Sequence, residues 1–520
     1  MTMAHDLLDE PLLTWRDREG NRGMTTLPGI LRRLGSGELV DFPRTRAHQF
    51  DPWSMFLTQL AAIALHRAGG TDPRLSEHEW KGHLLALTDG SHEPWCLVVT
   101  DLAKPAFFQA PVPEGKLDDW KIKQRPDDLD ILVTSKAHDV KTGLVDASET
   151  EAWVYALTAL QTMQGYSGPS LQSISRMKSG SGNRPRVSVA ANPSPAGRFA
   201  RDLRVMLDNW PNQLGLGYSD NGIALVWTRP WDGSDSLAME DLCPYFVEIC
   251  RRTRLRSLSS GLEARYTTTD VRRCLPNIED GDVGDPWIPI KRDGGALTIS
   301  DSGFDYKKVT ELLFSGQYKK AAAQDIKVSD GDPVFLLASA MPRGMGETGG
   351  LHERRLVISG AARGLLGRSN GADILGKRAV AQVEQTASMI KDVLEPSLRA
   401  LFQIDEKKRP SKKNSGGGGF EGFLRATRKV FSHRVDEIFF TRLLGDVDQP
   451  DDDARLAWEQ TVKDIASAEL QRAIERSCVP DVQRYKAISD AERKFRGCLK
   501  FHFPDLVAAT AGGDDKEATP

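Results

Sequence analysis

The stretch "RAVAQVEQTASMIKDVLEPSLRALF", Arg378 to Phe402, marks where the chain changes character. Val383, Ala387, Ile390, Leu394, Leu398 and Leu401 follow one another by 4, 3, 4, 4 and 3 residues, the repeat of an apolar stripe along one α-helix. Three later segments have the same texture: "FLRATRKVFSHRVDEIFFTRLL", "ARLAWEQTVKDIASAELQRAIERS" and "QRYKAISDAERKFRGCLKFHF". Four such helices joined by loops predict a C-terminal four-helix bundle over residues 371–508. The first connection, "KKRPSKKNSGGGGF", is basic and flexible, and residues 509–520 read as a disordered tail.

Upstream of that stripe the pattern is irregular. "LLDEPLLTWRDREGNRGMTTLPGILRRL" predicts a strand, a turn at Gly20, a second strand and a helix with Pro28 in its first turn. Residues 52–69 carry apolar side chains at helical spacing and end in Gly69 and Gly70. "SETEAWVYALTALQTMQGY" reads as a helix with Ser148 as N-cap and Glu151 at the capping-box position. Between 187 and 360, β-like runs mix with short helices and no regular βαβ alternation. The predicted fold class is therefore α+β: a large irregular mixed α/β domain over residues 1–370, followed by the bundle.

With 520 residues, 40% of them hydrophobic and 27% charged, the chain supplies more than one core. Cys96, Cys243, Cys250, Cys274, Cys478 and Cys498 are scattered with no CxxC pair, which argues against a zinc knuckle or a disulfide framework. The apolar run Leu57–Leu65 is less than half of the roughly 20 residues that a membrane helix needs, so no membrane association is expected and the protein reads as cytoplasmic. Net charge is −3, but basic residues cluster in Arg251–Arg256, Val271–Cys274 and Glu406–Asn414. A patchy surface of this kind can present one cationic face to phosphates.

Motifs for catalysis are missing. GxxxxGK[ST] and HExxH do not occur, and the Ser-rich stretches lack GxSxG. The pair His138–Asp139 supplies two groups of a metal-dependent phosphohydrolase without the further ligands, so neither metal nor cofactor is expected. What remains are three basic or glycine-rich loops, at 134–142, 165–186 and 342–355. Glycine lets a backbone approach a nucleic-acid groove and aim its N–H groups at phosphates, because no Cβ intervenes. In the second loop, Arg176, Lys178, Arg184 and Arg186 follow the glycines and are expected to meet phosphates.

In their order along the chain these segments resemble the CasA family, the large subunits of the type I-E CRISPR Cascade complex. "LLDEPLLTW" is similar to the family's opening strand, and "WVYALTALQTMQGYSGPS" to the helix that ends in a Gly-Phe-Gly-Gly type loop, here Gly165, Tyr166, Ser167 and Gly168. "VGDPWIPIKRDGGAL" and "MPRGMGETGGLHERRLVI" resemble the later landmarks. The resemblance implies a non-catalytic subunit that recognises the protospacer-adjacent motif, the PAM, in double-stranded DNA, helps open the duplex and form the R-loop, and docks a helicase-nuclease in antiviral defence. Guide pairing then reads the target. Implied partners are target DNA, crRNA and the other Cascade subunits.

Carried over by position, Gly165, Tyr166, Ser167, Gly168 and Lys178 contact the PAM, with Arg272 and Arg273 as basic contacts and Arg265 in reserve. The duplex-separating wedge falls on Met345, Gly346, Glu347 and Thr348, and Lys136, Ala137 and His138 form the loop that anchors crRNA and neighbouring subunits. Two alternatives stand beside this reading: a metal-dependent nuclease using His138 and Asp139, and a structural scaffold subunit.

Overall fold

The structure, a computed structural model, describes residues 3–131, 148–168, 170–177, 182–277, 281–326, 331, 333–344, 347–366, 371–402, 419–477 and 481–514. The chain forms two compact units, Met1–Phe304 with Gln317–Val357, and Asp305–Gly316 with Ile358–Pro520. The fold class is mixed α+β, with a helical C-terminal region, as the sequence predicts.

The first unit is built around the helix Ala47–Arg67, whose residues Met55–Leu65 are buried without interruption. Apolarity on every side of a helix requires neighbours on every side. Here they are the helices Thr150–Met163 and Pro195–Asp208 and the strand Leu242–Val247. Aromatic rings fill the space between: Phe108 lies 5.2 Å from Phe56, 4.8 Å from Phe107 and 4.6 Å from Trp227, centroid to centroid. Among the described residues no helix is long and apolar enough to cross a membrane.

Small sheets, mostly antiparallel, surround this centre. The expected opening hairpin forms from Leu13–Asp17 and Arg22–Thr25, followed by the helix Leu27–Gly35. Thr26 caps that helix by accepting from Gly29 N at 3.0 Å. A second sheet orders Arg252–Leu258, Gly261–Thr267 and Lys121–Lys123. A third orders His352–Ile358, Val334–Ala340 and Arg186–Ala190, with Ser339 opposite Arg186.

Glu151 departs from its capping-box assignment. Residue Glu149 occupies the N-cap without a side-chain bond, and the Glu151 carboxylate instead accepts from Thr14 N and Thr14 Oγ1, both at 2.7 Å, and from Tyr155 Oη at 2.5 Å. A buried carboxylate with three donors ties the loop-bearing helix to the first hairpin.

The second unit is the helical bundle. Its long helices are Gly371–Ser388 running through Met389–Leu394 into Glu395–Leu401, then Phe420–Gly445, Asp451–Arg476 and Asp481–His502. The turn Met389–Leu394 is π-helical and lies just ahead of Pro396. A proline lacks the N–H of a regular turn, and the one-residue π insertion accommodates it. That insertion rotates the apolar stripe. From the π turn onward, Ile390, Leu394, Leu398 and Leu401 are buried as predicted, whereas ahead of it Val383 is half-buried and Ala387 exposed, and Ala379, Gln382 and Thr386 are among the buried positions. The backbone carbonyl of Gln382 accepts from Trp458 Nε1 at 3.1 Å and from Thr386 Oγ1 at 2.7 Å, which ties this turn to the helix Asp451–Arg476.

Two more observations differ from a simple cut at residue 370. The helix Tyr306–Leu313 packs in the second unit, with the Tyr306 ring 5.0 Å from Phe439. The helix Pro504–Asp514 continues through residues 509–514, which the sequence assigns to the tail.

Candidate nucleic-acid interface

The glycine loop starts where the helix Thr150–Met163 ends and Gln164 turns extended. Gly168 and Leu171 exchange backbone hydrogen bonds of 2.7 and 3.0 Å, Ile174 N donates to Gln164 O at 2.9 Å, and Ser173 N donates to Ser167 Oγ at 2.9 Å. The segment is thus a tightly closed turn. Gly165 is buried, while Tyr166, Ser167 and Gly168 are half-buried. A Cβ on Gly168 would sit 2.6 Å from Tyr166 Oη, so the ring lies across this glycine and leaves no room for a side chain. Lys178 lies outside the described residues.

The arginines after the loop do not meet solvent. Arg176, Arg184 and Arg186 are 3%, 2% and 1% exposed, which corrects their assignment as phosphate contacts. Arg176 pairs with Glu248 at 2.5 Å and Asp285 at 3.0 Å, Arg184 with Asp285 at 2.5 Å, and Arg186 with Asp51 at 3.0 Å and Asp202 at 2.7 Å. Burial works against the charge on Arg176, but Glu248 and Asp285 overcome it and hold its pKa above the ordinary value. For Arg184 burial prevails and pushes the pKa down to about 10. Burial also opposes ionisation of Asp51, yet Arg198 and Arg186 hold its carboxyl below the usual range. These groups form an internal salt network under the loop.

Arg272 and Arg273 are buried as well. Arg272 Nη2 donates to Ser173 Oγ at 3.2 Å, inside the loop, and so reaches it from behind. Arg273 pairs with Asp235 at 2.5 Å, donates to Pro230 O at 3.1 Å and faces the Trp231 ring. Its guanidinium is committed to the fold, which corrects its assignment as a DNA contact. Arg265 pairs with Glu263 at 2.9 Å.

The segment expected to form the wedge is a hairpin in which Arg343 opposes Thr348 and Gly344 opposes Glu347. Its tip, Met345 and Gly346, lies outside the described residues. Thr348 is buried and donates through Oγ1 to Ile131 O at 3.1 Å, so its side chain faces inward and cannot act as the wedge. The loop expected to anchor crRNA, with Lys136, Ala137 and His138, together with Asp139, lies outside the described residues, which stop at Ile131 and resume at Ser148.

These contacts place the bases of all three loops together. The glycine loop leaves from Met163 and returns at Arg184, whose N–H donates to Met163 O at 3.1 Å. Asn183 N donates to Met341 O at 3.4 Å, at the entrance of the hairpin. From there the two segments continue into the paired strands Arg186–Ala190 and Val334–Ala340. The hairpin's other leg returns to Ile131 through Thr348. Among the described residues, one group of side chains has the spacing for a cation, Asp6, Asp9 and His92, and it is already occupied internally: His92 Nδ1 lies 2.7 Å from Asp6, and Lys81 pairs with Asp9.

This arrangement occurs on a known architecture. The crystal structure of the CRISPR-associated protein Cse1 from Acidimicrobium ferrooxidans superposes with a TM-score of 0.67, covering 97% of this chain and 99% of that one at 16% identity. The chain has the Cse1/CasA fold. CasA of Thermus thermophilus matches over 95% of this chain and 99% of its own, with a TM-score of 0.66 and 13% identity. A chain of a CRISPR RNA-guided surveillance complex matches with a TM-score of 0.58 over 96% of this chain and 100% of that one, at 13% identity. No family model matches the sequence, and no curated protein matches it. The Cse1/CasA fold is thus retained end to end at an identity where only the order of elements is readable. Sequence reasoning missed Arg251, which reaches the glycine loop from the run "RRTRLR"; nothing in that run sets it apart from its neighbours.

Proposed function

We propose that this protein is the large, DNA-recognising subunit of a CRISPR RNA-guided surveillance complex. The observation that carries this reading is the common base of three loops, on a fold shared with Cse1 and CasA structures over almost the whole chain. In this role the loop Gly165–Gly168 presents backbone and the Tyr166 side chain to the base pairs flanking the target. The adjacent hairpin, with Met345, Gly346 and Glu347 at and beside its tip, enters the duplex. Lys136, Ala137, His138 and their neighbours contact crRNA and the adjoining subunits. Sequence reading beyond the short flank passes to guide pairing, so the subunit needs a close-fitting backbone and no catalytic groups. It serves R-loop formation and docks a separate helicase-nuclease.

Gly168→Asp tests this directly. The substitution displaces the Tyr166 ring and sets a carboxylate where phosphates arrive. In the assembled complex it is expected to weaken binding to target duplex by about tenfold or more, while the isolated subunit melts within a few degrees of wild type. Unchanged flank-dependent binding would sink the assignment.

A further inference from the structure

Arg251 has its backbone N–H, and that of Cys250, fixed at 2.9 Å by Gln161 Oε1 on the helix that leads into the glycine loop. Its side chain is buried, with the residue 2% exposed. From this seat Nη1 donates to Gln172 O and, at 2.9 Å, to Cys250 O, and Nη2 reaches Tyr166 O at 3.5 Å. Tyr166 and Gln172 stand on the two sides of the Gly168–Leu171 turn. One guanidinium therefore sets the width of the turn, which a planar fork can do and a single ammonium cannot.

Charge separates Arg251 from the network beside it. Arg176, Arg184 and Arg186 each have a carboxylate within 3.0 Å, whereas no carboxylate pairs with Arg251 among the described residues. Arg254 is also held by carbonyls, but by those of Val99, Asp101 and Lys104, away from the loop. A buried cation compensated only by carbonyl dipoles is costly, and its field emerges through the nearest exposed surface. The loop residues that the guanidinium touches, Tyr166 and Gln172, are half-buried, and Ser170 between them is exposed.

The geometry points to Arg251 as the positioning residue of the loop: it fixes the turn from beneath, and its charge is balanced by a phosphate of bound duplex DNA instead of by a protein carboxylate. The inference rests on the reading of Gly165–Gly168 as a duplex contact.

The test uses the guide-loaded complex carrying Arg251→Met or Arg251→Lys. The probes are duplexes with a guide-matched target and randomised flanking base pairs, and the matching single strand. Arg251→Met is expected to lose about tenfold or more in duplex binding and to flatten the flank preference, with single-strand binding unchanged within about twofold. Arg251→Lys, which keeps the charge but not the fork, should recover binding at low salt without recovering the preference. Wild-type preference in an assembled Arg251→Met complex overturns the inference. Should that variant fail to assemble, wild-type preference in Arg251→Lys overturns it equally. If Gly168→Asp alone loses binding, only the role of Arg251 falls; if both Gly168→Asp and Arg251→Met bind as wild type, the DNA reading itself falls.

Discussion

Two arginine-rich regions look alike in sequence and have opposite fates. Around the glycine loop, Arg176, Arg184 and Arg186 are at most 3% exposed and are salt-bridged to Glu248, Asp285, Asp51 and Asp202. On the bundle helix Asp481–His502, Lys486, Lys494, Arg496 and Lys500 are exposed and have no ion-pair partner among the described residues; Arg493 pairs with Asp490 at 2.5 Å. Among the described residues the two most exposed large hydrophobic side chains, Tyr485 at 88% and Phe501 at 81%, share that helix. A run of basic letters therefore does not locate a phosphate site. What decides is whether the fold brings acids from elsewhere in the chain to meet it, and near the loop it does.

The comparison breaks most readily at Arg186. Arg186→Met leaves Asp202 and Asp51 buried without their shared partner, although Arg198 at 2.8 Å still serves Asp51 and Trp287 Nε1 at 2.7 Å still serves Asp202. Removing one partner of a buried ion pair costs about 3–5 kcal/mol. Denaturant unfolding should show a loss of that order; a loss below about 1 kcal/mol would mean that the network is no more than a solvated face.

Acid should attack the same place. The folded-state pKa of Asp51 is depressed, so its stabilising contribution is whole above the ordinary value of 3.8 and is lost as pH falls below that value through the folded one. Unfolding curves collected downward from pH 5 are expected to show wild type losing stability faster than Arg186→Met, in which part of that depression is gone. Equal slopes would show that Arg198, not Arg186, carries the effect.

How far the sequence could be read follows from the same physics. The opening hairpin, the buried helix Ala47–Arg67 and the bundle were legible because periodicity and turn residues are local signals. The stripe Val383–Leu401 was read in phase only from the π turn onward, since a single inserted residue leaves no mark in composition. Glu151 had the letter and spacing of a cap, but Thr14, distant in the chain, was the better partner. The salt network was out of reach because Arg184 meets Asp285 across 101 residues and Arg186 meets Asp51 across 135. That a turn follows the helix Thr150–Met163 was legible from its glycines, whereas Arg251 behind it was not.

On the bundle side, Gly497 sits inside the helix Asp481–His502, and a Cβ there would meet nothing within 4 Å. No packing requirement of the fold calls for a glycine at this point. Gly497→Ala is expected to raise stability by about 0.5–1 kcal/mol, the helix-propensity difference, read as a shift in the denaturant midpoint of the helical transition. Destabilisation instead would reveal a close approach at this face and remove the contrast with the crowded Gly168.

The smallest effect is expected from the exposed cations. Lys486→Ala with Lys494→Ala removes two charges whose ammonium groups have no ion-pair partner among the described residues, and both side chains are exposed. Nothing buried is left unpaired, the alanines fit the helix at least as well, and the like-charge repulsion along Arg493, Lys494 and Arg496 falls. The change in unfolding free energy should stay within about 0.5 kcal/mol in either direction. It should also shrink with added salt, because screened surface charges are all that changes. A salt-independent loss above about 1 kcal/mol would place these lysines in the same class as the arginines beneath the glycine loop, and the division between an internal and an external basic region would no longer hold.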